Sequence, residues 1–314
     1  MKRKVNRVGQ NTLTVSLPSK WAGKYNIQQG DELEVEENGP CLAIGQKIKN
    51  LKGSHIDLDI TGLDRTSIML AIRGVYRKGF DNIAIKFDEQ TVKHHRIKQD
   101  IKALSVIHTE VNRLLGLQIV KEDHNSCLIK DFSANLEQEF DPTIRRIFLL
   151  LNNVADDFLK GLKEDDKALI SSIEEKHDTV TKFVSYCTRI ISKGVLKDDA
   201  TRQIVLYHIL CSLDEIMDIY KYAARDYYPR FVKKVSKDTL AIIEKMNQSF
   251  KMFYELFYNT KNSKSYEIID IRDNIKREIV SLAKSLTKEE ILLLNYTEHI
   301  LEILTDLILA NNCL

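Results

Sequence analysis

The chain has 314 residues, of which 43% are hydrophobic and 29% charged, and a formal charge of +2, which excludes a disordered polymer and an overall nucleic-acid coat and leaves length for two or three domains. No apolar run reaches the roughly 18 to 20 residues of a membrane span, so no membrane insertion is expected. The five cysteines (Cys41, Cys127, Cys187, Cys211, Cys313) lack Cys-x-x-Cys spacing, which speaks against a disulfide framework or thiolate zinc site and, with no signal-peptide core at the charged N-terminus, makes a cytoplasmic location the expectation.

The charge is unevenly placed: Lys2, Arg3, Lys4, Arg7, Lys20 and Lys24 fall in an opening stretch that holds no Asp or Glu. Strand-like Val5, Val8, Leu13 and Val15 are interrupted by Gly9-Gln10-Asn11, a hairpin turn. Ser19 is expected to cap a short helix that buries Trp21 and Tyr25. Glu32-Leu33-Glu34-Val35-Glu36 alternates as a strand, Asn38-Gly39-Pro40 turns, and 41–44 forms a last strand. The order of these elements, with Ser16-Leu17-Pro18-Ser19-Lys20-Trp21 and Gly30-Asp31-Glu32-Leu33-Glu34-Val35, resembles the SpoVT-AbrB family of swapped-hairpin DNA-binding domains over about the first 46 residues. A unit so short cannot bury a full core alone. The resemblance implies a β half-barrel completed by a second chain. It also implies that Lys2, Arg3, Lys4, Arg7, Lys20 and Lys24 contact DNA, with Glu32, Glu34, Glu36 and Glu37 turned away from it.

Residues 53–135 read as a small α/β region, with strands at 56–60, 82–87, 117–121 and 126–131 and helices at 64–78 and 91–115. None of its glycines fits a phosphate-cradling loop. The basic run Lys93-His94-His95-Arg96-Ile97-Lys98 reads as a solvated helix face or a DNA contact, and the region as a connecting or dimerising one.

From 136 to 314 the apolar spacing is helical. Asp141-Pro142 starts the first helix, with Asp141 as its cap; Glu164-Asp165-Asp166 opens the second, ending near Gly194; the third spans 198–225. After Tyr227-Tyr228-Pro229 the plan repeats, with helices to about 258, at 266–286 and at 288–311. Two three-helix repeats follow, at about 141–226 and 229–312. Asp214 and Asp218 lie one turn apart beside Leu210, Leu213 and Met217, and Glu302 and Asp306 repeat that spacing. Such pairs offer hard oxygen donors suited to Fe, Mn, Mg or another divalent ion, or else a solvated or salt-bridged face. Glu174 and Asp178, and Asp270, supply a second acidic helix in each repeat.

The run Leu213-Asp214-Glu215-Ile216-Met217-Asp218 is similar to the acidic signature of PhoU-type phosphate-uptake regulators, which are tandem three-helix bundles. That resemblance implies a metal on one face of each bundle. His177 reads as an exposed helix residue: its Glu-x-x-His motif has no second copy, and no nucleophile or zinc-protease motif occurs, so an enzyme is not expected. The expected whole is a multi-domain α+β protein: a half-barrel (1–52), an α/β connector (53–135) and tandem three-helix bundles (136–314). Its expected role is that of a homodimeric, DNA-binding regulator of phosphate uptake. The alternative is a protein-interaction regulator of a phosphate transporter ATPase, or a partner of a phosphate-signalling protein, without specific DNA binding.

Overall fold

The computed structural model describes residues 2–38, 41–45, 53–133, 138–196, 199–230, 234–259 and 262–314. By its contacts the chain divides into two units, Met1–Asn50 and Leu51–Leu314.

In the first unit β1 (Val5–Val8) and β2 (Thr12–Val15) form an antiparallel hairpin, with Val5 opposite Val15 and Arg7 opposite Leu13. Gly9 takes the left-handed backbone (φ 71°) that the turn requires. Helix α1 (Ser19–Lys24) is followed by a second hairpin of β3 (Glu34–Asn38) and β4 (Cys41–Gly45). The expected turn residues Gly39 and Pro40 lie outside the described residues. Two expectations are corrected here. Ser19 is the first residue of α1 and Pro18 precedes it without a side-chain cap; Trp21 is half-buried and Tyr25 is exposed, because six helical residues offer no apolar layer to cover them. None of this unit's described side chains is buried, and Val5, Val8, Leu13, Val15, Val35 and Leu42 are exposed apolar groups.

The second unit begins with a four-stranded sheet in the order β5 (His55–Asp59), β6 (Asn82–Lys86), β10 (Ser126–Asp131), β9 (Leu117–Asp123). β5 and β6 are parallel, joined by α2 (Arg65–Arg77), and the other pairs are antiparallel. Asp64 caps α2 by accepting from the Ser67 N–H at 2.9 Å. Ile68, Ile72 and Tyr76 of α2 and Val106, Ile107 and Val111 of α3 (Ala103–Asn112) form one core with Ile83, Ile85, Cys127 and Ile129 of the sheet. The expected helix over 91–115 is corrected: β7 (Thr91–His94) and β8 (Gln99–Lys102) make a separate hairpin, and only α3 is helical. The basic run therefore lies on β7 and its turn. Lys98 holds φ at 53° there, and Val92 and His94 alternate inward.

Among the described residues seven helices follow: α4 (Phe140–Glu164), α5 (Lys167–Ser171), α6 (Ile173–Ser192), α7 (Ala200–Arg230), α8 (Lys237–Asn259), α9 (Asn262–Leu282) and α10 (Lys288–Asn311). Glu139, and not Asp141, holds the cap position of α4; Asp141 lies in its first turn, where an acid suits the positive helix end. Glu164 closes α4, and Asp166 caps the short α5 by accepting from Leu169 N–H. At this corner Gly161 is required by close approach: a Cβ there would lie 2.5 Å from Ile170 Cγ1. Helix α7 continues through Pro229 to Arg230, and α9 starts at Asn262. Helices α4, α6 and α7 pack together, as do α8, α9 and α10; α8 packs on α4 and α10 on α7. The two triplets thereby share one continuous apolar core, in which Phe148 of α4 meets Phe250, Phe253 and Phe257 of α8. Among the described residues no helix is long and apolar enough to cross a membrane.

Candidate functional sites

The first candidate is the cationic arm. Lys2, Arg3 and Lys4 precede β1 and are exposed, as are Arg7, Lys20 and Lys24. Directly opposed residues of an antiparallel pair share a face, so Arg7 stands with Val5, Leu13 and Val15, while Asn6, Thr12 and Thr14 stand with Val8 on the other face. Lys20 and Lys24 lie at the two ends of α1, and Lys24 Nζ sits 5.4 Å from the Tyr25 ring centre. Glu32, Glu34 and Glu37 are exposed on the segment leading into and along β3. Cations and acids are thus carried by different elements, the arrangement a polyanion-binding surface needs.

The second candidate is the acidic signature of the helices, and here the structure brings together residues that sequence reasoning did not connect. Arg77, in the last turn of α2, donates from Nη2 to Asp214 Oδ2 at 2.7 Å and from Nε to Ser185 Oγ at 3.1 Å. Thr181 Oγ1 donates to the other Asp214 oxygen at 2.8 Å. One turn on, Asp218 accepts from His177 Nε2 at 2.8 Å and from Lys221. His177 Nδ1 lies 3.1 Å from Asp178, which also accepts from Arg113 Nη2 at 2.5 Å. Glu174 is paired with Arg225 and lies 3.6 Å from Arg96.

Burial raises the Asp218 carboxyl, but the hydrogen bonds from His177 and Lys221 outweigh it and hold the pKa at about 2. Burial lowers His177, yet its bonds to Asp178 and Asp218 raise it on balance, against the charge of Lys221. An imidazolium donating from both ring nitrogens to two carboxylates fits that direction. His177 is therefore buried within a network, contrary to its expected exposure.

In the second copy Glu302 pairs with Lys276 and lies 3.9 Å from Arg272, Asp306 is exposed, and Asp270 accepts from Asn274 at 3.0 Å. The donor set does not fit a divalent ion. In the first copy its carboxylates already accept from cations, and among the described residues no three His, Cys, Asp or Glu groups converge as ligands.

Beneath this network lies a residue that pattern reading missed. Arg189 of α6 is fully buried; it donates from Nη1 to the carbonyls of Tyr76 and Phe80 (2.8 and 2.9 Å) and from Nη2 to Asp81 and Asp131 (both 2.7 Å). Its guanidinium also stacks 4.7 Å from the Tyr76 ring. Lys193 reaches Asp81 from one turn further along. The available sequence signal was a charged residue set among Tyr186, Cys187, Ile190 and Ile191.

A family model described as antidote-toxin recognition MazE, bacterial antitoxin, matches residues 7–41. The match supports an AbrB-like DNA-binding domain at the N-terminus. It lies within the first unit and ends at Cys41, so the likeness of the helices to PhoU-type regulators rests on the acidic run Leu213–Asp218. No curated protein matches the chain.

Proposed function

We propose that the protein is a DNA-binding regulator that works as a homodimer through its AbrB-like unit. The observation that carries this reading is that the unit buries none of its described side chains while exposing six apolar strand residues and a cluster of cations that form no ion pair among the described residues. Apolar strands in that state call for a second copy to cover them, and the cations then form a surface for phosphates. The helical region serves as the sensing or relay part. Its link to phosphate status is supported by the likeness of Leu213–Asp218 to the PhoU signature, whose acid spacing Glu302 and Asp306 repeat. A metal has no part in the reading.

The test is a mobility-shift titration of the full chain against genomic fragments at several salt concentrations. Affinity is expected to fall steeply with salt, and each of Arg3→Ala and Lys4→Ala to flatten the log–log slope by about one. A shift that neither substitution alters sinks the assigned DNA face. A second reading is favoured by the description of the matched family, recognition of a toxin by its antidote: the unit would then also hold a protein partner. Co-purification of a small protein that masks the AbrB-like unit would distinguish this from a regulator of a phosphate transporter ATPase, which would be captured through the helices.

A further inference from the structure

Two arginines of the α/β layer close on one turn of α6, and a third lies beside them without an acceptor. Arg96, in the turn between β7 and β8, approaches Glu174, and Arg113, at the C-terminal cap of α3, donates to Asp178. Glu174 and Asp178 are four residues apart on α6 and so share a face. Arg65, the first residue of α2, is half-buried where α2 packs on β7 and its cap Asp64 lies 3.8 Å from His95, the neighbour of Arg96, yet it donates no hydrogen bond to a described residue and forms no ion pair with one.

The nearby negative charges are committed elsewhere: Glu110 is fully buried and taken by Arg73 at 2.8 and 3.2 Å, Asp178 is taken by Arg113, and Asp64 accepts from the Ser67 N–H and lies 3.8 Å from His95. Arg225 of α7 also falls on Glu174. Four guanidinium groups, those of Arg65, Arg96, Arg113 and Arg225, thus face three carboxylates, those of Glu174, Asp178 and Asp64, and the cluster keeps a positive excess. Burial, and then Arg113 and Arg96, push the Arg65 pKa down, and burial with Arg65 and Arg96 does the same to His94. The cluster is open to solvent, with the Arg96 and Arg113 side chains 57% and 30% exposed.

We propose that Arg65, Arg96 and Arg113 form a binding site for a small tetrahedral oxyanion of the phosphate or sulfate type. A guanidinium fork matches such an anion in both charge and hydrogen-bond geometry. A phosphate-type oxyanion offsets the positive excess and gives Arg65 an acceptor. No residue of the AbrB-like unit takes part, so the inference stands apart from the DNA-binding reading.

The experiment is calorimetric titration of the full chain with inorganic phosphate and, in a parallel arm, with sulfate, comparing wild type with Arg65→Ala. Wild type is expected to bind, and R65A to bind at least about tenfold more weakly, the scale of a lost charge-assisted hydrogen bond. Without anion, the melting temperature of R65A is expected to equal or exceed that of wild type, because a repelled cation has been removed. The rise in melting temperature with phosphate is expected to be smaller in R65A, a comparison in which general salt effects cancel. No binding by wild type at millimolar phosphate or sulfate, or equal binding by R65A, overturns the site. A drop in the anion-free melting temperature of R65A also overturns it, since it would mark Arg65 as a structural contact.

Discussion

The two helical triplets carry the same four-residue acidic spacing and use it differently. In the first, Asp214 meets an arginine from the α/β layer and Asp218 a histidine and a lysine of its own bundle. In the second, Glu302 meets a lysine and Asp306 faces solvent. A repeated motif therefore does not mean a repeated site. What surrounds the acids decides whether they are a fastening or a solvated face.

The strongest way to test that contrast is at Arg189, the buried arginine of the first triplet, for which no counterpart in the second contacts the α/β layer among the described residues. Arg189→Ala is expected to cost about 3 to 5 kcal/mol in chemical denaturation, because it strands Asp81 and Asp131 without their main donor. A loss below about 1 kcal/mol would show that the two triplets differ little in their attachments. Next comes Asp214→Ala, which leaves Arg77 and Thr181 short of an acceptor in a partly buried setting and is expected to cost about 1 to 3 kcal/mol.

The pH dependence sharpens the contrast further, since the shifted histidine and aspartate both belong to the first triplet. His177 has a raised folded pKa, so its contribution is complete below the usual value of 6.5 and is lost as pH rises through the folded value. Asp218, held at about 2, contributes above its usual 3.8 and loses that contribution as pH falls toward 2. Melting curves across pH are expected to show both arms in wild type, with the alkaline arm missing in His177→Gln. If the alkaline arm persists in that variant, the network has been assigned wrongly. The smallest effect is expected from Glu302→Ala, at about 0 to 1 kcal/mol, because both partners of its ion pair are nearly half exposed. A cost equal to that of Asp214→Ala would erase the distinction between the copies.

Much of the architecture was legible because local signals were strong. Thr287 and Glu290 form a capping box at the start of α10, whose expected bounds of 288–311 match. Asp64 likewise marks α2, and Gly9 the first hairpin. The 91–115 segment misled because Ile97, Ile101 and Leu104, spaced i, i+4 and i+7, imitate a helical stripe. Its turn is made by Lys98 in a left-handed backbone, a residue type that gives no warning of one. The acidic pairs were visible, but their partners were not. Arg77 is 137 residues from Asp214 and Arg113 is 65 from Asp178, and nothing local links a helix-end arginine to a carboxylate that distant.

The guanidinium of Arg189 is shut off from water, held by two main-chain carbonyls and two carboxylates that all belong to the α/β layer. Letting go would leave opposite charges bare in a poorly polarisable interior, so this joint has no cheap open state. The sheet consequently cannot swing on the helices as on a hinge. Any displacement of α6 is passed to it whole, as a handle moves the blade fixed to it.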